Sequence, residues 1–227
     1  MLHHEISGNG KKPLVLLHGF MENTTIWEEM EAHLSKDFTL IKIDLPGHGK
    51  SKVYQEIHTV ELMAEKVKEV IDALKLEKIN LLGHSLGGYV SLAFAEKFPE
   101  ILESMTLFFS TTVADDEEKK AIRRRSIAVI DENFETFVKT SIPNLFSNNE
   151  KDILEGKIEL AKNIAKSTDK EGVKAAQLGM AERPDRTEIL ENLDAKILII
   201  AGKYDNAVKT ENLLKIIPEK TNIKTYV

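Results

Sequence analysis

Residues 79–88 read Ile-Asn-Leu-Leu-Gly-His-Ser-Leu-Gly-Gly, and this stretch decides the fold. A short apolar run leads into a Gly-x-Ser-x-Gly pentapeptide, and a helical pattern follows over 89–98. The order of strand, tight turn and helix is typical of a nucleophile elbow, in which the serine hydroxyl stands exposed above a sheet. We therefore predict that Ser85 is a nucleophile. Gly83 and Gly87 should flank the turn because side chains there would collide with its other arm.

Short apolar segments recur along the chain, and most of them precede a helical stretch such as 60–74. Segments 14–17 and 197–200 are apolar on both faces, which is typical of strands covered by helices on both sides. We therefore predict an α/β fold, a mostly parallel central sheet with helices on both faces. The strand candidates are 13–17, 38–43, 78–82 near the sheet centre, 104–109, 195–201 and 222–227, with 3–7 as an antiparallel edge strand joined to 13–17 by Gly8-Asn9-Gly10.

The interval 111–194 contains no convincing strand, and its pattern predicts helices over 114–130, 134–140, 150–167 and 170–182. A structureless loop of that length is improbable in a compact domain, so we predict an inserted helical cap, or lid. Residues 1–110 and 195–227 would then form the core and residues 111–194 the cap. The cap should lie over Ser85 and make a mostly apolar pocket with Phe134, Phe137, Leu145 and Phe146.

Two backbone N–H groups are candidates for an oxyanion hole. The Leu86 N–H follows the nucleophile at a helix start and points to where a tetrahedral oxyanion would form. In His18-Gly19-Phe20, the glycine permits a turn that aims the Phe20 N–H inward, although an ordinary strand-to-loop glycine would also fit. His18 itself is expected to stabilise its loop rather than to take part in chemistry.

Asp205 is the candidate acid of the site. It follows the apolar run 197–201 and the turn Gly202-Lys203-Tyr204, and an acid there matches the chain order nucleophile, acid, histidine. Such an acid holds an imidazole in the right tautomer. The alternative is an aspartate that caps the helix beginning near Thr210. Asp44 and His48, in the turn-rich stretch 44–51, are interpreted as residues that lock a loop.

Composition argues against several other kinds of site. The net charge of −6 disfavours nucleic acid and anionic membranes, and the absence of cysteine excludes disulfides and thiolate sites. His3-His4 lacks further ligands in the sequence, so neither a metal nor a cofactor is expected. No apolar run approaches the ~20 residues of a membrane span, and the N-terminus lacks a signal-peptide layout. A cytoplasmic location is therefore expected.

The histidines are the second informative feature, because all seven lie at or before His84. A serine site of this kind needs a late histidine as its base. We therefore expect that the sequence is truncated at its C-terminus and that residues 1–227 alone are catalytically weak or inactive. An exposed last strand and the surface beside it would favour a homodimer or low solubility.

The motifs together resemble the α/β-hydrolase superfamily, especially its small esterases, enol-lactonases and cofactor-free haloperoxidase-like members. The matching segments are 18–20, 44–51, 83–88 and 202–205 in order, and 179–187 resembles the segment that leads out of the cap. The resemblance implies a triad of Ser85, Asp205 and a histidine after the last strand. It also implies hydrolysis of a small-molecule carboxylic ester, thioester or lactone through an acyl-enzyme on Ser85.

Alternatives stay open within and outside catalysis. Hydrolytic C–C bond cleavage or a lyase step could use the same residues, and a non-catalytic homologue could bind a ligand in the same cleft. Serine at position 85 disfavours epoxide hydrolases and haloalkane dehalogenases, which carry aspartate there. Tyr89 weakens the resemblance to menaquinone-pathway lyases, which tend to have arginine after the Gly-Gly pair.

Overall fold

A single seven-stranded sheet organises the computed structural model, which describes residues 1–227. Its strands are β1 (His4–Ser7), β2 (Lys12–Leu17), β3 (Phe38–Ile43), β4 (Ile79–His84), β5 (Leu102–Phe108), β6 (Lys196–Ile200) and β7 (Ile223–Tyr226). Their spatial order is β1-β3-β2-β4-β5-β6-β7, with β1 antiparallel to β3 and every other pair parallel. The strand that precedes Ser85 is thus the central one, and the predicted α/β sheet is confirmed.

Helices cover both faces of this sheet. Val15 and Leu17 of β2 belong to the main apolar core with α2 and α3, whereas Leu14 and Leu16 pack with Trp27 on the opposite face. None of the helices combines the length and the apolar character needed to cross a membrane. The helices are α1 (Glu28–Leu34), α2 (Val60–Ala73), α3 (Leu86–Lys97), α4 (Glu117–Ser141), α5 (Glu155–Ser167), α6 (Lys170–Glu182), α7 (Glu188–Asn192) and α8 (Thr210–Lys215).

Two local features add detail to the predictions. The antiparallel edge strand β1 is joined to β2 by the 8–10 turn but pairs with β3, because the turn lies against the entry to β3: a Cβ on Gly10 would stand 2.1 Å from the Asp37 carbonyl oxygen. The helices predicted over 114–130 and 134–140 are the two segments of α4, which meet at a kink. Its backbone leaves helical geometry at Asn133, whose Oδ1 accepts the Thr136 N–H at 2.9 Å and so caps the second segment.

The interval 111–194 holds α4 to α7 and no strand, while β5 and β6 on either side of it pair directly. A second apolar cluster joins these helices to the loop after β2. Phe20 and Met21 of that loop pack against it, which places α4, α5 and α6 beside one of the predicted oxyanion donors. The buried members of the cluster are Met21, Ile130, Phe137, Val138, Ile142, Ala165 and Val173.

α6 rests on the loop after β3 through two glycines on one helical face. A Cβ on Gly172 would lie 2.1 Å from the Gly47 carbonyl oxygen, and one on Gly179 only 1.8 Å from the His58 carbonyl oxygen. The His58 N–H also donates to the Ala175 carbonyl at 3.0 Å. Backbone-to-backbone contact therefore fixes α6 to the core.

Gly179→Ala is expected to lower the free energy of unfolding by about 1–3 kcal/mol, because rigid backbone would have to move to admit the methyl group. Gly156 in α5 is the matched control, since nothing lies within 4 Å of a Cβ there. Gly156→Ala should be neutral or stabilising by up to about 1 kcal/mol. Urea unfolding of both variants checks this, and equal stabilities would contradict the close contact.

Candidate active site

Ser85 occupies a strained turn between β4 and α3. Its dihedrals are φ 48° and ψ −109°, a region that residues with a side chain rarely adopt. Neighbouring groups hold it there: the Ser85 N–H donates to the Phe108 carbonyl at 3.0 Å, and the Ser110 hydroxyl donates to the Ser85 carbonyl at 2.9 Å. The half-buried side chain thus sits at the carboxyl end of the central strand.

The flanking positions 83 and 87 require glycine because backbone carbonyl oxygens lie where a Cβ would be. A Cβ on Gly83 would lie 2.2 Å from the Gly87 carbonyl oxygen, the collision between the two arms that the sequence predicts. A Cβ on Gly87 would instead meet the Leu17 carbonyl oxygen at 2.2 Å, at the end of β2. The second glycine therefore lets α3 begin directly against the neighbouring strand, close to the loop of the other oxyanion donor.

His18 orients the first candidate oxyanion donor. Its Nε2 accepts the Leu45 N–H at 2.9 Å, so Nδ1 carries the proton and donates to the Gly19 carbonyl at 2.7 Å. Burial holds the pKa of His18 below its ordinary value, which keeps this ring neutral. In a trans peptide the N–H points opposite to the carbonyl, so the Phe20 N–H points away from His18.

Both candidate N–H groups are free to donate a hydrogen bond to an oxyanion. The Phe20 N–H makes no hydrogen bond within the chain. The Leu86 N–H belongs to the first residue of α3 and has no acceptor inside the helix. Two unpaired N–H groups therefore follow adjacent strands on either side of Ser85, since β2 pairs with β4 through Leu17 and Gly83.

Glu22 contacts both the predicted oxyanion loop and the turn at Ser85, and the sequence did not predict it as a candidate. Its Oε2 accepts the Gly19 N–H at 2.5 Å and contacts the His84 Nδ1 at 2.8 Å. Burial alone would raise the pKa of Glu22, but the charge of His84 and their hydrogen bond outweigh it and hold this pKa below its ordinary value. The only sequence signal is an acid three residues beyond the glycine of the oxyanion loop.

Asp205 lies in the loop after β6, two strands across the sheet from the nucleophile. At an inter-strand spacing of ~4.8 Å, this offset amounts to about 10 Å. Its Oδ1 accepts the N–H groups of Ala207 at 2.7 Å and Val208 at 2.9 Å, while Oδ2 accepts none. Asp205 does not cap α8, whose N-cap position is Lys209. One carboxylate oxygen is thus left for an imidazole.

None of the seven histidines bridges Ser85 and Asp205. Both ring nitrogens of His18 and His58 are engaged by loop backbone, and His84 is paired with Glu22. His48 is fully buried and donates to the Pro46 carbonyl, with its other nitrogen unpaired. Of the remaining three, His3 contacts Asp44 and His4 contacts the Leu2 carbonyl. His33 lies exposed on α1.

Asp44 makes contacts that fit its interpretation as a loop-locking residue. It is buried, with Oδ1 accepting the Thr24 N–H and Oδ2 the Lys50 N–H, both at 2.9 Å, and the His3 ring at 2.9 Å. Its carboxylate therefore joins three separate chain segments, through Thr24, Lys50 and His3.

A cleft of about 450 Å³ lies beside Asp205. It is distinct from the apolar pocket predicted over Ser85, because Ser85 does not line it and ten of its eleven residues are polar or charged. Asn206 ties the two sides together, since its Nδ2 donates to the Phe146 carbonyl at 3.1 Å. The lining residues are Ser147, Asn148, Asn149, Lys203, Tyr204, Asp205, Asn206, Lys209, Thr210, Glu211 and Asn212.

Known proteins share this architecture. A thermophilic esterase from Thermogutta terrifontis, solved with malate bound, is 33% identical, with a TM-score of 0.92 over 99% of this chain and 83% of that one. An enol-lactonase from Burkholderia xenovorans LB400 has 22% identity and a TM-score of 0.87 over 99% and 86% of the two chains, a likeness of fold. A putative 2-succinyl-6-hydroxy-2,4-cyclohexadiene-1-carboxylate synthase of Bacillus subtilis is 28% identical over 87% of this chain and 75% of its own.

The family assignment rests on nearly the whole chain. The first curated relatives that it matches align over only 111 residues at 34% identity, which is 49% of this chain and 32% of their own length. Residues 12–226, by contrast, match the family described as the alpha/beta hydrolase fold. Together with the sheet order and the turn at Ser85, this match shows that the chain belongs to the α/β-hydrolase family.

Proposed function

We propose that this hydrolase cleaves small carboxylic esters, thioesters or lactones through an acyl-enzyme on Ser85. The observation that carries the proposal is the turn at Ser85, with φ 48° and two unpaired N–H groups, those of Phe20 and Leu86, beside it. An exposed hydroxyl next to preorganised donors is the arrangement that acyl transfer requires. The 33% identical relative named an esterase supports the same class of substrate.

In the proposed reaction, the Ser85 Oγ attacks the carbonyl carbon while an imidazole takes its proton. The carbonyl oxygen becomes an oxyanion that accepts hydrogen bonds from the Phe20 and Leu86 N–H groups. Collapse of this intermediate breaks the bond to the leaving oxygen or sulfur, which receives the proton from the imidazolium. Water then attacks the acyl-enzyme by the same steps and releases the carboxylic acid.

Asp205 is proposed to hold that imidazole through its free Oδ2. The seven histidines are engaged elsewhere or lie away from this position, so the proposal assigns the base to an imidazole outside residues 1–227. The polar cleft beside Asp205 would then adjoin the base rather than form the acyl pocket. Hydrolysis by residues 1–227 alone should accordingly be weak.

With imidazole supplied as the base, here and in every labelling experiment below, a fluorophosphonate probe is expected to phosphonylate Ser85, because the reagent forms a tetrahedral phosphorus centre whose oxygen uses the oxyanion hole. Mass spectrometry of the digested protein would locate the adduct. Ser85→Ala should abolish labelling. Ser147→Ala, at the other half-buried serine near Asp205, is the matched control and should retain it.

Other outcomes would direct the assignment elsewhere. Labelling at a different residue would refute Ser85 as the nucleophile. Labelling at Ser85 without turnover of any ester, thioester or lactone would favour C–C bond hydrolysis or a lyase step on the same residues. Absence of labelling together with measurable binding of a small molecule would favour a non-catalytic homologue.

A further inference from the structure

We propose that Glu22 is a positioning residue of the oxyanion hole: its carboxylate couples the Gly19 N–H to the His84 ring and thereby sets the Phe20 N–H against Ser85. The inference rests on the proposed function, since it concerns the donors that would stabilise an oxyanion on Ser85. It adds a residue that the motifs alone do not single out.

One carboxylate oxygen makes both contacts. Oε2 of Glu22 lies 2.5 Å from the Gly19 nitrogen and 2.8 Å from the His84 Nδ1. His84 directly precedes the nucleophile, and Gly19 directly precedes the donor Phe20. A displacement of this oxygen therefore shifts the oxyanion loop and the nucleophile turn relative to each other.

The loop leaves little room for another arrangement. A Cβ on Gly19 would stand 2.7 Å from the Glu22 Oε2 and 2.8 Å from the His84 Nδ1. Between them Met21 has φ 58°, and its buried side chain is held in the apolar cluster under α4. The Glu22 N–H closes the turn on the Gly19 carbonyl at 3.3 Å. The side chain of Glu22 therefore bonds to the Gly19 N–H, and its backbone N–H bonds to the Gly19 carbonyl.

Two titratable groups outside the pair act on it, His18 on Glu22 and Asp205 on His84. Burial lowers the pKa of His84, but the charge of Glu22, their hydrogen bond and the charge of Asp205 raise it above its ordinary value overall. His18 stays neutral on the loop side. Because its own pKa is lowered, Glu22 is ionised at neutral pH, and a hydrogen bond to its carboxylate is stronger than one between neutral groups.

Glu22→Ala is expected to slow phosphonylation of Ser85 by about tenfold to 100-fold, less than the 10²- to 10³-fold typical of deleting a donor outright. Glu22→Gln should stay within about threefold of the unmutated protein, because its amide oxygen can accept both N–H groups. The matched control is Glu31→Ala, which breaks the ion pair with buried Lys42 at 2.7 Å on another part of the sheet. Its labelling rate should not change.

The outcomes separate this inference from the proposed function. Rates are measured on folded variants of equal length, and His84 is titrated by NMR, where Glu22→Ala should lower its pKa. An unchanged labelling rate in Glu22→Ala, an equal loss in Glu31→Ala, or an unaltered His84 titration would each overturn the positioning role. Failure of the unmutated protein to label at Ser85 would overturn the proposed function, and the inference with it, even if His84 titrates as expected.

Discussion

Imidazole added at ~0.1 M is expected to raise ester hydrolysis by a polypeptide of residues 1–227 by at least about tenfold, because a general base typically contributes 10²- to 10⁴-fold. No histidine ring hydrogen-bonds to Ser85 or to Asp205, and the Nδ1 of His84, the neighbour of Ser85, contacts Glu22 instead. Asp205 retains a free Oδ2 that can orient an imidazole beside the nucleophile. Free imidazole should regain only part of the loss, since it lacks positioning.

The control for this result is Ser85→Ala. With this variant, imidazole should hydrolyse the ester no faster than it does in the absence of protein. A slowly hydrolysed phenyl ester keeps the uncatalysed reaction with imidazole small, and initial rates are compared across imidazole concentrations. Loss of one triad member lowers turnover by roughly 10⁴- to 10⁶-fold. Fast hydrolysis without imidazole would therefore show that a histidine within residues 1–227 acts as the base, and His84 would be the first to replace.

The features that the sequence predicted well depend on local sterics. The turn at Ser85 follows from Gly83 and Gly87, because the backbone can pass so close to itself only where no side chain intervenes. The boundaries of β3 and α6 match the predicted 38–43 and 170–182, where apolar residues follow one period without interruption. Such patterns are decided within a few residues and need no knowledge of tertiary partners.

What escaped prediction depends on contacts between distant segments. β1 pairs with β3 because the 8–10 turn meets Asp37, and no residue pattern in β1 specifies that neighbour. Glu22 and His84 are 62 residues apart in sequence and meet only because β2 and β4 are adjacent. The apolar side chains of the helices in 111–194 pack on one another and on Met21, and no local pattern in this interval specifies that neighbour.

Acid should destabilise this protein more steeply than carboxylate titration alone would, because His48 is buried in its neutral form. Burial, assisted by the nearby His18, lowers the pKa of His48 from 6.5 to about 3. Between these two pKa values His48 is protonated in the unfolded chain and neutral in the folded chain. The free energy of unfolding therefore decreases as pH falls below 6.5. The loss is about 1.4 kcal/mol per pH unit, or roughly 2 kcal/mol at pH 5 and up to about 5 kcal/mol near pH 3.

Urea unfolding between pH 7 and pH 4 measures this dependence. His48→Asn should reduce the slope of unfolding free energy against pH by the contribution of one proton. The asparagine amide still offers an N–H donor to the Pro46 carbonyl. His18 and His58, whose pKa values are also lowered by burial, add losses of the same sign in both proteins. His84 acts oppositely, since its raised pKa stabilises the fold below 6.5 and that contribution fades as pH rises. His33→Asn, on the exposed face of α1, is the control and should leave the slope unchanged. Identical slopes for His48→Asn and the unmutated protein would mean that His48 takes up a proton in the folded chain.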